Sequence, residues 1–272
     1  MQLVGFVSAP SRPDHSVVAL AEATGLTLAE ARMRLAPEPP ALLARTGAVE
    51  ATSLVASLRQ TGVAALAIAE NVPGDADRLV ARAFEFSEGG ARFRPRDGAE
   101  LALPWVEMLG ILRGIRISRS ESEHTEKTRK FSVGRALATG GLVMSRTASR
   151  TVRSTNEAVE QVVLLYSRVG DAVILAESEL EFSGLGPRLS PSSTANMVEI
   201  ARQLREKAPG AFYDERLLRL GRRPLPFVLG GESRVQAQGT VVKRTATAGA
   251  LDVLAELMRQ ALVERLLPSS PA

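Results

Sequence analysis

Cysteine is absent from the 272 residues, which removes disulfides, thiolate metal ligands and cysteine nucleophiles together. Histidine occurs only as His15 and His124, so a histidine-based zinc site or general base has little to draw on. Aromatic residues make up 4% of the chain, with Trp105 the single tryptophan, and an isolated ring of that kind is expected in a core. No run approaches the roughly 18 consecutive apolar residues of a membrane helix, and no basic stretch followed by an apolar one opens the chain. Neither a span nor a signal peptide is expected, and the expected location is cytoplasmic. Also missing are Gly-x-Ser-x-Gly, His-Glu-x-x-His and a dinucleotide-binding glycine fingerprint. Gly140 and Gly141 have no Lys-Ser/Thr after them and make no phosphate loop. No catalytic activity, cofactor or metal is therefore expected.

What is present is an ordinary globular balance of 45% hydrophobic and 24% charged residues, enough for one to three domains with real cores. Only Lys127, Lys130, Lys207 and Lys243 are lysine; the rest of the basic residues are arginine. Together with abundant alanine, that bias points to a GC-rich bacterial genome.

The first seventy residues can be divided with most detail. Leu3 to Val7 reads as a strand. Val17, Val18, Leu20 and Ala21 recur at helical spacing, and Gly25 stands where a helix end needs positive φ. Thr27 and Glu30 have the reciprocal capping spacing for a second, short helix over residues 28–35, stopped by Pro37. A brief strand at Leu42, Leu43 and Ala44, a helix over 49–60 and a buried strand over 63–68 complete a β-α-α-β-α-β order. That order, with Ala23-Thr24-Gly25-Leu26 and Leu28-x-Glu30-Ala31, resembles the C-terminal domain of the bacterial ribosomal stalk protein, a fold shared with the Clp-protease adaptor. The resemblance covers residues 1–70. It implies a partner-binding face on the two-helix hairpin, carried over to Val18, Ala21, Ala29 and Arg32. Stalk domains carry Lys or Arg there for translation factors, and only Arg32 keeps the charge.

Polar, turn-forming residues 71–77 suggest a boundary. Beyond it, Phe84 to Phe86 and Arg92 to Arg94 alternate as hairpin strands around Gly89-Gly90, and two more strands, over 162–167 and 172–182, flank the turn Val169-Gly170-Asp171. Glu177, Glu179 and Glu181 would then alternate on the wet side of a sheet. A helix over 197–208 follows. This order and Leu103-Pro104-Trp105 resemble a pleckstrin-homology-type partial barrel; a generic antiparallel sheet with a covering helix fits the same pattern.

Between residues 113 and 153 lie Arg113, Arg116, Arg119, Lys127, Arg129, Lys130, Arg135, Arg146, Arg150 and Arg153, ten cations against Glu121, Glu123 and Glu126, or +7 in a chain of net +4. Residues 118–130 contain no apolar side chain and are expected to form a mobile loop. Three readings stay open: solvated loops, contact with nucleic-acid phosphate or an anionic membrane surface, and phosphorylation at Ser132 or Ser149, each with an arginine a short spacing before it.

Past a linker over 221–226, one strand is expected over 235–242, then a helix over 250–267 whose apolar stripe docks either on its own chain or on a second copy, giving a homo-oligomer. The expected fold class is α+β: a small β-α-α-β-α-β domain over 1–72, a mainly antiparallel β domain with a closing helix over 80–220, and a segment over 221–272 ending in an amphipathic helix. The function these features suggest is that of a non-enzymatic adaptor or regulatory protein with a protein partner, the alternative being an anionic-surface binder using the basic region.

Overall fold

A computed structural model describes residues 1–131, 145–222, 231–237 and 240–267. The first sheet places β1 (Gln2–Phe6) between β2 (Ala41–Thr46) and β3 (Ala65–Ala69), antiparallel to both. Helix α1 (Pro13–Thr24) begins on a proline and ends where Gly25 adopts φ 71°, a left-handed conformation that costs a glycine nothing. Helix α2 (Leu28–Leu35) carries the capping box: Thr27 N–H donates to Glu30 Oε2 at 2.9 Å, and Thr27 Oγ1 accepts from Glu30 N–H at 3.3 Å. With α3 (Ala48–Gln60) these helices bury Val17, Leu20, Leu35, Leu54 and Leu58 against Val4, Phe6 and Leu43. The β-α-α-β-α-β order is thus present in the chain. Leu3 and Val7, pointing the other way from β1, join a different core, which explains a strand that reads as continuously apolar.

The second sheet has nine strands in the order β11-β12-β7-β8-β9-β4-β5-β6, with β10 also beside β7. These are β4 (Leu79–Phe86), β5 (Gly90–Pro95), β6 (Leu101–Pro104), β7 (Met108–Phe131), β8 (Ser145–Ser167), β9 (Ala172–Ala176), β10 (Phe212–Leu217), β11 (Gly231–Ala237) and β12 (Thr240–Ala246). Pairing is antiparallel except between β10 and β7 and between β4 and β9. The chain is α+β, as its pattern of elements implied.

Helix α4 (Ser193–Lys207) lays Met197, Ile200 and Leu204 on one face of this sheet, with Phe84, Trp105, Ile111 and Leu175. The last helix, α5 (Ala248–Val263), covers the opposite face and is itself covered by the first sheet. Leu251, Leu254, Leu257 and Met258 are buried among Leu3, Leu42, Leu66 and Ile68 from one sheet and Leu112, Leu164 and Ile174 from the other. The intramolecular docking of this stripe is the one observed. Glycines let the helix sit close: a Cβ at Gly5 would stand 2.7 Å from Leu257 Cδ2, at Gly110 2.8 Å from Leu262 Cδ1 and at Gly114 2.6 Å from Leu251 Cδ1.

Three expectations are corrected. Residues 118–130 are not a loop: they continue β7, paired rung by rung with β8 from Met108↔Ser167 to Phe131↔Ser145. Absence of apolar residues forbids burial, but the ladder satisfies backbone N–H and C=O groups without it. Strand β9 stops at Ala176, because the Glu179 and Leu180 N–H groups both turn back to the Ala176 carbonyl, at 3.0 Å each. Residues 235–242 hold no single strand; β11 and β12 form a hairpin in which Val235 faces Val242.

Candidate functional site: two surfaces and a buried charge cluster

The α1–α2 hairpin presents its outer side to solvent. Arg32 Nη2 reaches Asp14 Oδ1 at 3.2 Å across the two helices, both side chains mostly exposed, so the pair fixes geometry more than it adds stability. One turn along α1 stands Val18, 43% exposed, followed one turn later by Glu22. On α2 the exposed positions Leu28, Ala29, Arg32 and Met33 share a face by helical spacing, with Leu28 57% and Met33 75% exposed. Of the four residues expected on this face, Val18, Ala29 and Arg32 are there. Ala21 is not: it is 8% exposed and belongs to the core beneath the helices, since it lies one turn past Val17 on the inward side of α1. A shallow depression of about 440 Å³ runs beside Val18, lined by Asp14, His15, Glu22, Gln60 and Thr61.

The second surface is the β7–β8 ribbon, and the ten cations assigned to it separate into groups. Arg113 is buried, donating to Glu215 Oε1 at 2.6 Å and Gln161 Oε1 at 3.2 Å. Tyr213 also donates to Glu215. Burial works against that carboxylate, but these donors outweigh it and hold its pKa low. Arg116 pairs with Asp75 at 2.5 Å. These two cations are tied into the body of the protein and are not open to a ligand. Arg135, like Ser132, lies outside the described residues.

For the remainder the register is informative. From Ser118 outward the ribbon leaves β9 behind, and β12 accompanies β7 only as far as His124. Along this stretch the register sets Arg119 opposite Glu157, Glu121 opposite Lys243, Glu123 opposite Arg153 and Glu126 opposite Arg150. Then the matching stops. Lys127 stands opposite Ser149, Arg129 opposite Thr147, and Lys130 opposite Arg146, two like charges on one rung. The sequence holds no acidic residue between Glu126 and Glu157.

Sequence reasoning missed a buried cluster under α5. Arg78 donates to Asp252 Oδ1 at 2.5 Å and to the Pro73 carbonyl at 2.7 Å, its side chain 1% exposed. Glu256, one turn beyond Asp252, takes two hydrogen bonds from Arg259 at 2.7 Å each. Beside these charges, Tyr166 Oη is buried with no hydrogen-bond partner, and burial pushes its pKa up to about 12. The available signal was the insertion of Asp252, Glu256 and Arg259 into an otherwise apolar helix. Nor are Glu177, Glu179 and Glu181 one strand face. Glu177 leaves the end of β9 to accept from Ser193 Oγ at 2.6 Å, Thr194 Oγ1 at 2.9 Å and Gln161 N–H at 3.1 Å, pinning the first turn of α4 to the sheet.

No family model, curated protein or solved structure matches this chain. Its chemistry has to be argued from its own surfaces. Among the described residues no group of three or more His, Asp or Glu side chains is placed to hold a metal ion, and no helix is long and apolar enough to cross a membrane.

Proposed function

We infer that this protein is a non-enzymatic adaptor whose α1–α2 hairpin docks a segment of another protein. The observation that carries the reading is the exposure of three large apolar side chains, Val18 on α1 and Leu28 and Met33 on α2, on the hairpin that Asp14 and Arg32 tie together. Solvated apolar side chains grouped in this way are what a helix-in-groove contact buries. The likeness of the first seventy residues to the ribosomal stalk domain points to the same hairpin, but the chemistry differs. Val18 and Ala29 replace the family's cations, and Asp14 and Glu22 border Val18. The favoured partner therefore offers apolar side chains flanked by basic ones, and is not a translation factor selected by positive charge.

A photo-crosslinking side chain at Met33 in the full chain tests this. A discrete adduct with a protein is expected, lost when Val18→Glu and Leu28→Glu are added. The same adduct from Val106, 83% exposed in the turn between β6 and β7, would overturn the assignment.

A further inference from the structure

We propose that α5 is a latch that makes the two sheets one cooperative unit, so that residues 1–70 keep their fold only while this helix is docked. Helices α1, α2 and α3 cover one face of the first sheet, the face of Val4, Phe6 and Leu43. From the other face project Leu3, Leu42, Leu66 and Ile68, none more than 9% exposed, in one core with Leu254, Leu257 and Met258 of α5. The room that Gly5 leaves for Leu257 sets the helix against β1 itself. A three-stranded sheet with an apolar face open to water is marginal, and so short a segment has little other core to offset the exposure.

The helix is fastened to a different sheet at each end. At its start, Thr247 N–H donates to the Ile117 carbonyl of β7 and Thr247 Oγ1 accepts from Ile117 N–H, both at 2.9 Å. Asp252 holds Arg78, which leads into β4. Just past its end, Glu264 accepts from Arg59 Nη2 at 2.5 Å, while Arg59 Nε–H donates to the Ala65 carbonyl of β3 at 2.7 Å. From the end of α3 the connection reaches α1, where Thr61 Oγ1 and Ser16 Oγ stand 3.1 Å apart. Arg216 of β10 adds a clasp, donating to the carbonyls of Val7 at 2.8 Å and Pro39 at 3.2 Å. A helix held in this way cannot leave one sheet without uncovering the other. The polar segment 71–77 therefore separates elements and not folding units. This coupling does not depend on the hairpin's partner, but by linkage a ligand of either sheet's surface stabilises both.

Hydrogen exchange of the full chain tests the latch, read on the slowest amides of β1 and of residues 162–165 in β8. Leu254→Ala, in α5, should speed exchange at both places by the same factor, at least tenfold. Leu20→Ala is the decisive variant, because Leu20 is fully buried under α1 in the core that α5 does not enter. It too should speed β8 as much as β1, and should lower the urea midpoint reported by Trp105, the only tryptophan, which lies in the core beneath α4. Should Leu20→Ala fail to fold, Val17→Ala, a smaller truncation in the same core, should give the same equality at a smaller factor. Faster exchange of β1 with β8 and the Trp105 midpoint unmoved would overturn the proposal, as would Leu254→Ala acting on β8 alone; either result would make residues 1–70 an autonomous domain.

Discussion

Arg78 and Asp252, 174 positions apart, meet at 2.5 Å and join the end of the polar segment after the first sheet to the second turn of the last helix. The guanidinium is enclosed, so its charge depends on this one close carboxylate, with Asp75 farther off at 3.8 Å. Removing one partner of a buried pair leaves the other charged in a poorly solvating place, which usually costs more than the intact pair contributes. Asp252→Ala is expected to destabilise the chain by about 3 kcal/mol in urea unfolding. Arg78→Met combined with Asp252→Leu is expected to recover much of that loss. A double variant as unstable as the single one would mean that the pair's own attraction holds α5 in place.

Tyr166 gives the opposite prediction. Its hydroxyl has no partner, so Tyr166→Phe leaves stability at neutral pH unchanged or raises it by up to about 1 kcal/mol. The alkaline limb supplies the second reading. An unfolded tyrosine loses its proton near pH 10, whereas burial holds that of Tyr166 until about 12. Since the folded value is the raised one, the stability tied to it is complete below about pH 10 and is lost as pH climbs toward about 12. Unfolding midpoints measured at successive pH values across that window should fall less steeply in Tyr166→Phe. Some slope remains, because burial and Glu215 also push Tyr213 up to about 12. A substantial loss of stability at neutral pH would show that the hydroxyl has a partner after all.

The difference between what the sequence revealed and what it concealed follows from the range of the interactions. The capping box of Thr27 and Glu30 and the stop at Gly25 are contacts within a few residues, and both are legible in the chain. The apolar stripes of α4 and α5 are equally local. The outer ribbon is invisible to the same reasoning, because periodicity detects strands by alternating apolar residues and residues 118–130 hold none. Whether its charges match is equally hidden: Glu126 and Arg150 are 24 positions apart and become neighbours only once the register is set. The outer face of the α1–α2 hairpin fell between these cases, since helical spacing groups Leu28 with Arg32, but only packing shows that Ala21 turns inward.

Gly114 lies under α5 with too little room for a side chain. Its Cβ would come within 2.6 Å of Leu251 Cδ1 and 3.3 Å of Leu217 Cβ. Gly114→Ala should destabilise by about 1–3 kcal/mol through overpacking, although alanine suits a strand better than glycine does. Leu251→Ala alone should cost about 2–5 kcal/mol as a buried truncation. The informative measurement is the double variant. If the new methyl group takes up space that the leucine vacates, the two effects sum to more than the double variant shows, by at least 0.5 kcal/mol or so. Strict additivity would mean that the helix is not seated on this glycine.

Glu177 offers a test at acid pH. Burial alone would raise its pKa, but the hydroxyls of Ser193 and Thr194 and the N–H of Gln161 favour the ionised form and hold it below the usual carboxylate range. A lowered folded value means that the stabilisation is present above the unfolded pKa of about 4.3 and disappears as pH falls through the lower, folded value. Glu177→Gln keeps the shape and one accepting oxygen but loses the charge. It should lower stability at neutral pH by about 1–2 kcal/mol, and the difference from the parent should shrink in the acid limb, where the parent's carboxylate is itself protonated. Hydrogen exchange locates the effect: the first turn of α4 should exchange faster in Glu177→Gln, with the hairpin of α1 and α2 unaltered. A gap that stayed constant down to pH 2 would show that the lost stability comes from shape and not from charge.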